Sequence, residues 1–229
     1  MTKNTTNYAS EWHPLEADPQ VWNSIIHESG VSNEWHFVSL QDGVENLPAE
    51  ALALVYVFPR SDEYESYKQK EVLRLAKMEQ CISPNVIFFQ QAHHNNCGMM
   101  ALLHALANND DKEIIGPGTM HSFFEQAKGM SPDERKKWLK KSDELRHLHQ
   151  TAALLQKQQP GRQDGNHHYV CFVEVDDHLY ELDSQFSLPI NHGRLASSLA
   201  QCAQKYIEKY ISFASSSAED TTLLALISS

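Results

Sequence analysis

Basic residues are in short supply. Nineteen Lys and Arg stand against 30 Asp and Glu, a formal net charge of −11 at pH 7. Phosphate backbones repel such a chain, and no Lys/Arg stripe interleaved with aromatics offsets the balance, which argues against nucleic-acid binding. Cysteine is scarce as well: Cys81, Cys97, Cys171 and Cys202 are widely and irregularly spaced, with no CxxC pair. Neither a disulfide framework nor a zinc site of that type is expected, and four free thiols point to a reducing compartment. Only 9 Gly and 9 Pro occur in 229 residues, which excludes collagen-like and low-complexity chains. No run approaches the roughly 18 consecutive apolar residues of a membrane span, and the polar stretch Met1 to Ser10 is unlike a charged-then-apolar leader. What is present is 41% hydrophobic, enough at this length for one apolar core. The reading is a single domain over 1–229, cytoplasmic and off the membrane.

Helix and strand signals are mixed along the chain. Asp18-Pro19, then Val21, Ile25 and Ile26, then Gly30, spell an N-capped helix with Pro at its first position and a Gly stop. Trp35 to Leu40 alternates like a half-buried strand, and Ala51 to Phe58 is apolar almost throughout, as in a central strand. Ser61-Asp-Glu opens a charged helix to about Gln80, and Val86 to Phe89 is a further buried strand candidate. Met99, Met100, Leu102, Leu103, Leu106 and Ala107 recur at helical spacing, so a helix starts at or beside Cys97. Ser131-Pro132-Asp133-Glu134 is a capping box, and another charged helix begins near Ser142. Residues 151–166 turn Gln/Gly/Pro-rich and read as a long loop. His168 to Val175, Asp176-Asp177 and His178 to Leu182 form a hairpin signature; a helix over Leu195 to about Lys209 and a strand over Leu223 to Ile227 follow. Strict βαβ alternation is missing, which favours an α+β fold with a mainly antiparallel sheet.

Four positions invite a chemical reading. A thiol at the start of a buried helix feels unpaired NH groups and the positive end of the dipole, which favours the thiolate; the plainer reading makes Cys97 a small buried hydrophobe. His168 begins one hairpin strand and Asp183 ends the other, so a carboxylate could orient an imidazole that faces a thiol, although a strand-end histidine can also simply meet solvent. Gln91, six residues before Cys97, could donate to an oxyanion, and spacing alone does not separate it from Gln90. The His93-His94 and His167-His168 pairs, with His147 and His149, lack any HExxH or flanking CxxC geometry, so no metal and no cofactor is expected.

Taken together these segments resemble a known family. The stretch QQAHHNNCGMMALLHALANN, Gln90 to Asn109, is similar to the nucleophile motif of the ubiquitin C-terminal hydrolases, papain-like cysteine proteases. HYVCFVEVDDHLYELDSQFSLPINHG, His168 to Gly193, resembles their His/Asp motif; WHPLEADPQVWN, from Trp12, and MSPDERKKWL, from Met130, resemble their N-terminus and middle. The resemblance runs from about Trp12 onward. It implies Cys97 as nucleophile, His168 as general base and then acid, Asp183 as the group that orients it, and Gln91 as oxyanion donor; alignment with the motifs, not physics, picks Gln91 over Gln90 and His168 over His167. Asn95 would support the site, and Leu15 and Glu16 would touch ubiquitin. The implied reaction is acyl transfer at ubiquitin's terminal glycine through a thioester.

The resemblance also implies helices on both sides of the sheet and a knotted chain in which 151–166 crosses the active site. Sixteen residues span at most roughly 53 Å, framing a ring under roughly 20 Å, whereas a folded domain of about 75 residues is roughly 29 Å wide. Small adducts, short peptides or unfolded tails are therefore the expected leaving groups. Ala92-His93-His94, Asn96 and Met99 depart from the family's usual residues and bear on rate and on the shape of the approach. The expected partner is ubiquitin, met by a monomer. Alternatives are a low-turnover ubiquitin-binding protein and a hydrolase of another ubiquitin-like modifier.

Overall fold

The computed structural model describes residues 14–40, 43–91, 95–110, 114–156, 167–213 and 221–229. Asp18 caps the first helix, α1 (Pro19–Glu28), by accepting a bond from the Gln20 amide, with Pro19 at the position that has no amide to lose. Strands β1 (Trp35–Ser39) and β2 (Ala53–Pro59) follow, then α2 (Asp62–Ala76), capped by Ser61. The chain goes on through α3 (Cys97–Ala107), α4 (Thr119–Lys128), α5 (Pro132–Leu139) and α6 (Asp143–Gln156). Three strands close the site side, β3 (His167–Val175), β4 (His178–Leu182) and β5 (Ile190–Arg194); then come α7 (Leu199–Ile211) and β6 (Thr222–Ser228).

All six strands join one sheet in the order β1-β6-β2-β3-β4-β5, each neighbouring pair antiparallel. Alternation along β2 explains its unbroken apolar run. Ala53, Val55 and Val57 enter the core shared with α1, α3 and α4, while Leu54, Tyr56 and Phe58 enter a second core under α7 and Tyr64 of α2. Helices therefore cover both faces, an α+β arrangement as expected. The two-residue turn between β3 and β4 places Asp176 and Asp177 at φ 51° and 63°, the doubly left-handed geometry that fits the twist of a tight hairpin. Among the described residues, no helix is long and apolar enough to cross a membrane.

Several elements differ from the sequence reading. Residues 86–89 are buried but form no strand. Side chains of α3 and of its C-cap residue take part of their backbone bonding instead: Asn108 Oδ1 accepts from the Ile87 amide and Asn108 Nδ2 donates to its carbonyl, both at 2.8 Å, and His104 Nε2 accepts from Phe89 N at 2.9 Å. Of the loop expected over 151–166, residues 151–156 instead belong to α6, which runs to Gln156, whose side chain donates to Pro14 O; residues 157–166 lie outside the described residues. Helix α2 ends at Ala76 rather than near Gln80, and α7 begins at Leu199, after a Ser198 cap, rather than at Leu195. Strand β5 and helix α4 were unexpected. The first is a polar edge strand, and the second starts after Gly118 with neither a side-chain cap nor an acidic first turn.

Candidate functional site

Cys97 is the first residue of α3, and all eleven residues of that helix are buried. The cap residue, Asn96, makes no side-chain bond to the helix, and the first amides, of Cys97 and Gly98, face the Cys97 sulfur instead. Both side-chain polar atoms of Asn96 are buried without a hydrogen-bond partner. Gly98 follows because space demands it: a Cβ there would lie 2.6 Å from Leu15 O, the same carbonyl that accepts from Tyr169 Oη at 2.7 Å. The segment before α1 is thus clamped onto the helix start.

The hairpin β3–β4 delivers the acid and the base. His168 sits on β3 opposite Phe58 of β2, and Asp183 lies one residue past β4. His168 Nε2 is 2.9 Å from Asp183 Oδ2, and both side chains are fully buried. Asp183 also accepts from Tyr64 Oη at 2.7 Å and, through Oδ1, from the Gln185 amide at 2.8 Å. Burial pushes its carboxyl pKa up, yet the His168 charge and these bonds outweigh it, and the net shift is downward. The ring of His168 rests between Phe58, edge-on at 5.5 Å, and Tyr64 at 4.9 Å. Its other nitrogen, Nδ1, is buried and has no hydrogen-bond partner. His167, by contrast, contributes its carbonyl: Cys97 Sγ lies 3.7 Å from His167 O. Geometry separates the two histidines that spacing could not.

The two glutamines separate in the same way. Gln90 Oε1 accepts from Lys136 of α5 at 2.9 Å and is turned to that helix. Gln91 is tied beside the acid: its amide donates to Ser184 O at 2.9 Å and its Oε1 accepts from Ser184 Oγ at 3.2 Å. That leaves the two N–H donors of the Gln91 side chain uncommitted among the described residues.

The ionisation of the thiol departs from the sequence expectation. Burial drives the Cys97 pKa up; the Arg60 charge and the amides of Gly98 and Cys97 itself pull it down, Asp183 adds to the rise, and the net shift is upward. The helix start does act on the sulfur, but desolvation exceeds it. Two further expectations change. Leu15 is only 1% exposed, so its side chain belongs to the core and is withdrawn as a ubiquitin contact; Glu16, beside it, is half-buried, with its pKa raised first by burial and then by Asp18, while His167 opposes. Asn95 is exposed and left-handed at φ 68°, a bend that short amide side chains tolerate and that turns the chain into α3. His93 and His94 lie outside the described residues.

The sequence reading missed Tyr64, Phe58 and Arg60. Tyr64 is the third residue of a charged helix, and nothing in its neighbourhood signals a bond to a residue 119 positions away. One acid–histidine group with metal-like proximity does occur, Asp110, His121 and Glu125. The Lys128 ammonium lies 2.8 Å from Asp110 and 2.6 Å from Glu125 and already supplies the cation there.

Comparison with known proteins bears on what this geometry is for. Residues 12–212 match the family model described as ubiquitin carboxyl-terminal hydrolase, family 1. Ubiquitin carboxyl-terminal hydrolase isozyme L1 of Macaca fascicularis is 34% identical over 204 residues, covering 86% of this chain and 90% of the relative. The isozyme L1 of Monodelphis domestica is 35% identical over 186 residues, with 79% and 82% covered. Among solved structures, the Trichinella spiralis UCH37 catalytic domain bound to ubiquitin vinyl methyl ester matches with a TM-score of 0.72 at 25% identity, covering 96% of this chain and 97% of that one.

Proposed function

The chain belongs to family 1 of the ubiquitin carboxyl-terminal hydrolases, and from that premise we propose that it is a cysteine deubiquitinase acting at the C-terminal glycine of ubiquitin through Cys97, His168, Asp183 and Gln91. The observation that carries the assignment is the buried Asp183–His168 pair, whose outward nitrogen has no partner, on the strand whose preceding carbonyl meets the Cys97 thiol.

The resting thiol is held as a donor to His167 O. Substrate binding turns the sulfur to His168 Nδ1, which takes the thiol proton as the sulfur attacks the glycine carbonyl. The oxyanion is met by the amide at the start of α3 and by the Gln91 side chain. His168 then gives its proton to the departing amine or thiol, leaving a thioester and a neutral ring. A water molecule, deprotonated by His168, adds to the thioester; the sulfur leaves and regains the proton, freeing the ubiquitin carboxylate. Asp183 stays ionised throughout and stabilises the imidazolium.

The reading extends to substrate size. Ten residues, 157–166, connect α6 to β3 and span at most roughly 35 Å extended. As a strap across the active site, on a knotted chain, this connection would frame an opening smaller than a folded domain, so small adducts, short peptides and unfolded tails are the favoured leaving groups. Glu16 and the acidic surface suit the Arg-containing ubiquitin tail, and raised salt is then expected to weaken binding. The four free cysteines fit a cytoplasmic setting, and we assign a monomer.

A second reading is favoured by one observation: in the resting site the thiol meets His167 O and makes no bond to His168 Nδ1, and a site left unaligned in this way would bind ubiquitin and turn it over slowly. Hydrolysis of a ubiquitin C-terminal fluorogenic amide by the wild type and by Cys97→Ala, with a ubiquitin-like modifier substrate in parallel, decides among these. Turnover lost in the variant and confined to ubiquitin supports the enzyme; negligible turnover with submicromolar ubiquitin affinity supports the binding role.

A further inference from the structure

We propose that Ser184 is the positioning residue of the oxyanion donor: its carbonyl and its hydroxyl together hold Gln91 so that the side-chain nitrogen is the end left free to donate. The proposal rests on Gln91 acting as the oxyanion donor, as read above.

Gln91 needs such a hold. It is half-buried and follows residues 86–89, which belong to no strand. That segment is tied at alternate amides: Ile87 N to Asn108, Phe89 N to His104, and Gln91 N to Ser184 O at 2.9 Å. Backbone bonds of this kind fix where the Gln91 side chain begins, not where it ends. A glutamine has three rotatable side-chain bonds, and holding them in one geometry costs conformational entropy. The Ser184 hydroxyl supplies the second point of attachment, because Oγ donates to Gln91 Oε1 at 3.2 Å. One residue thus grips Gln91 at its amide and at its tip. With the oxygen engaged, the nitrogen is the end that can meet an oxyanion, whereas the reverse orientation would turn a lone pair toward the developing charge.

Ser184 is itself well anchored. It is 2% exposed and sits in a turn closed by Asp183, whose carbonyl accepts from Phe186 N at 3.0 Å and whose Oδ1 accepts from Gln185 N at 2.8 Å. Side chains alternate along that turn. Asp183 and Gln185 meet α2 at Tyr64 and Lys68, one helical turn apart, while Ser184 meets Gln91. Asp183 and Ser184 are consecutive, so one turn orients His168 on one side and the oxyanion donor on the other. The acid–base half of the centre and its electrostatic half are therefore fixed to each other before ubiquitin arrives, which is the preorganisation that such donors require.

The test compares the wild type, Ser184→Ala, Gln91→Ala and the double variant in hydrolysis of a ubiquitin C-terminal fluorogenic amide. Ser184→Ala should lower kcat about three- to tenfold, the effect of one net hydrogen bond, with KM unchanged within about twofold. In the Gln91→Ala background the same substitution should cost nothing further, since the residue it acts through is gone. An equal loss in both backgrounds would place the effect on Asp183 or on the fold and overturn the proposal; a wild-type kcat in Ser184→Ala would overturn it too. A second readout needs no turnover. In heteronuclear NMR spectra of the unliganded, isotope-labelled protein, the pair of side-chain amide signals missing from Gln91→Ala identifies the Gln91 tip, and Ser184→Ala should shift that pair. An unshifted pair overturns the proposal. If the wild type does not turn over ubiquitin while the pair shifts, the assigned activity falls and Ser184 stands as the residue that orients Gln91.

Discussion

His104 should make this protein acid-sensitive well above the range where carboxylates titrate. The residue is fully buried on α3, stacked on Phe88 at 5.2 Å and Phe89 at 6.0 Å, and it accepts from Phe89 N. Burial is the leading cause that pushes its pKa down, to about 3. In the unfolded chain the value returns to about 6.5. The folded pKa is depressed, so the contribution is fully present above the unfolded value and is lost as pH falls from about 6.5 toward 3. At pH 5 linkage gives RT ln(33), about 2 kcal/mol relative to pH 7.5. His104→Gln keeps an acceptor for Phe89 N but cannot titrate. Urea unfolding of both proteins at pH 7.5 and pH 5 should show the variant less stable at the higher pH, by about 2 kcal/mol for the lost stacking and packing. The gap should then close by about 2 kcal/mol at pH 5. An equal gap at both values would refute the argument, since it would mean that His104 gains no proton on unfolding.

Three other substitutions probe the site's support. Gly98→Ala sets a methyl 2.6 Å from Leu15 O, and displacing that backbone should lower stability by about 1–3 kcal/mol in thermal unfolding and raise the KM for a ubiquitin amide. Tyr64→Phe removes one donor to ionised Asp183, worth about 1.5 kcal/mol, so kcat should fall about tenfold with little change in KM. Asn96→Ser replaces a buried amide without partners by a good capping hydroxyl and should raise the urea midpoint, a gain of about 1 kcal/mol.

The sequence carried its strongest signals where local chemistry decides the structure. Asp18-Pro19, the Ser131–Glu134 capping box and the Asp176-Asp177 turn each fix their element through neighbours a few residues away, and each forms as read. Where distant partners decide, the reading failed or stayed silent. Residues 86–89 are as apolar as a strand, but Asn108 and His104 take the bonds a neighbouring strand would have made. Residues 151–156 look like loop by composition, yet they extend α6, with Gln156 tied to Pro14. In the candidate site, motif resemblance named Cys97, His168, Asp183 and Gln91. Tyr64, Phe58 and Arg60, which surround them, depend on strand register and helix placement that no local pattern encodes. The thiol's ionisation was misjudged for a related reason: an open helix start is visible in a sequence, whereas the depth of burial that opposes it is a property of the whole fold.

The place of β6 has a consequence for how the protein is made. Strand β6 lies between β1 and β2, so the edge strand β1 joins the other four through residues 222–228. On a ribosome, β1 at residues 35–39 leaves the exit tunnel long before β6, its strand neighbour among the described residues, exists. Its sheet bonds must wait for nearly the whole chain, with hydrophobic edges exposed meanwhile to chaperones. A polypeptide interrupted before residue 222 would hold every catalytic side chain named above, with strands β2 to β5, and lack the strand that links β1 to them. The sheet is therefore completed only after translation has passed β6, the last of its strands to be made and an interior one.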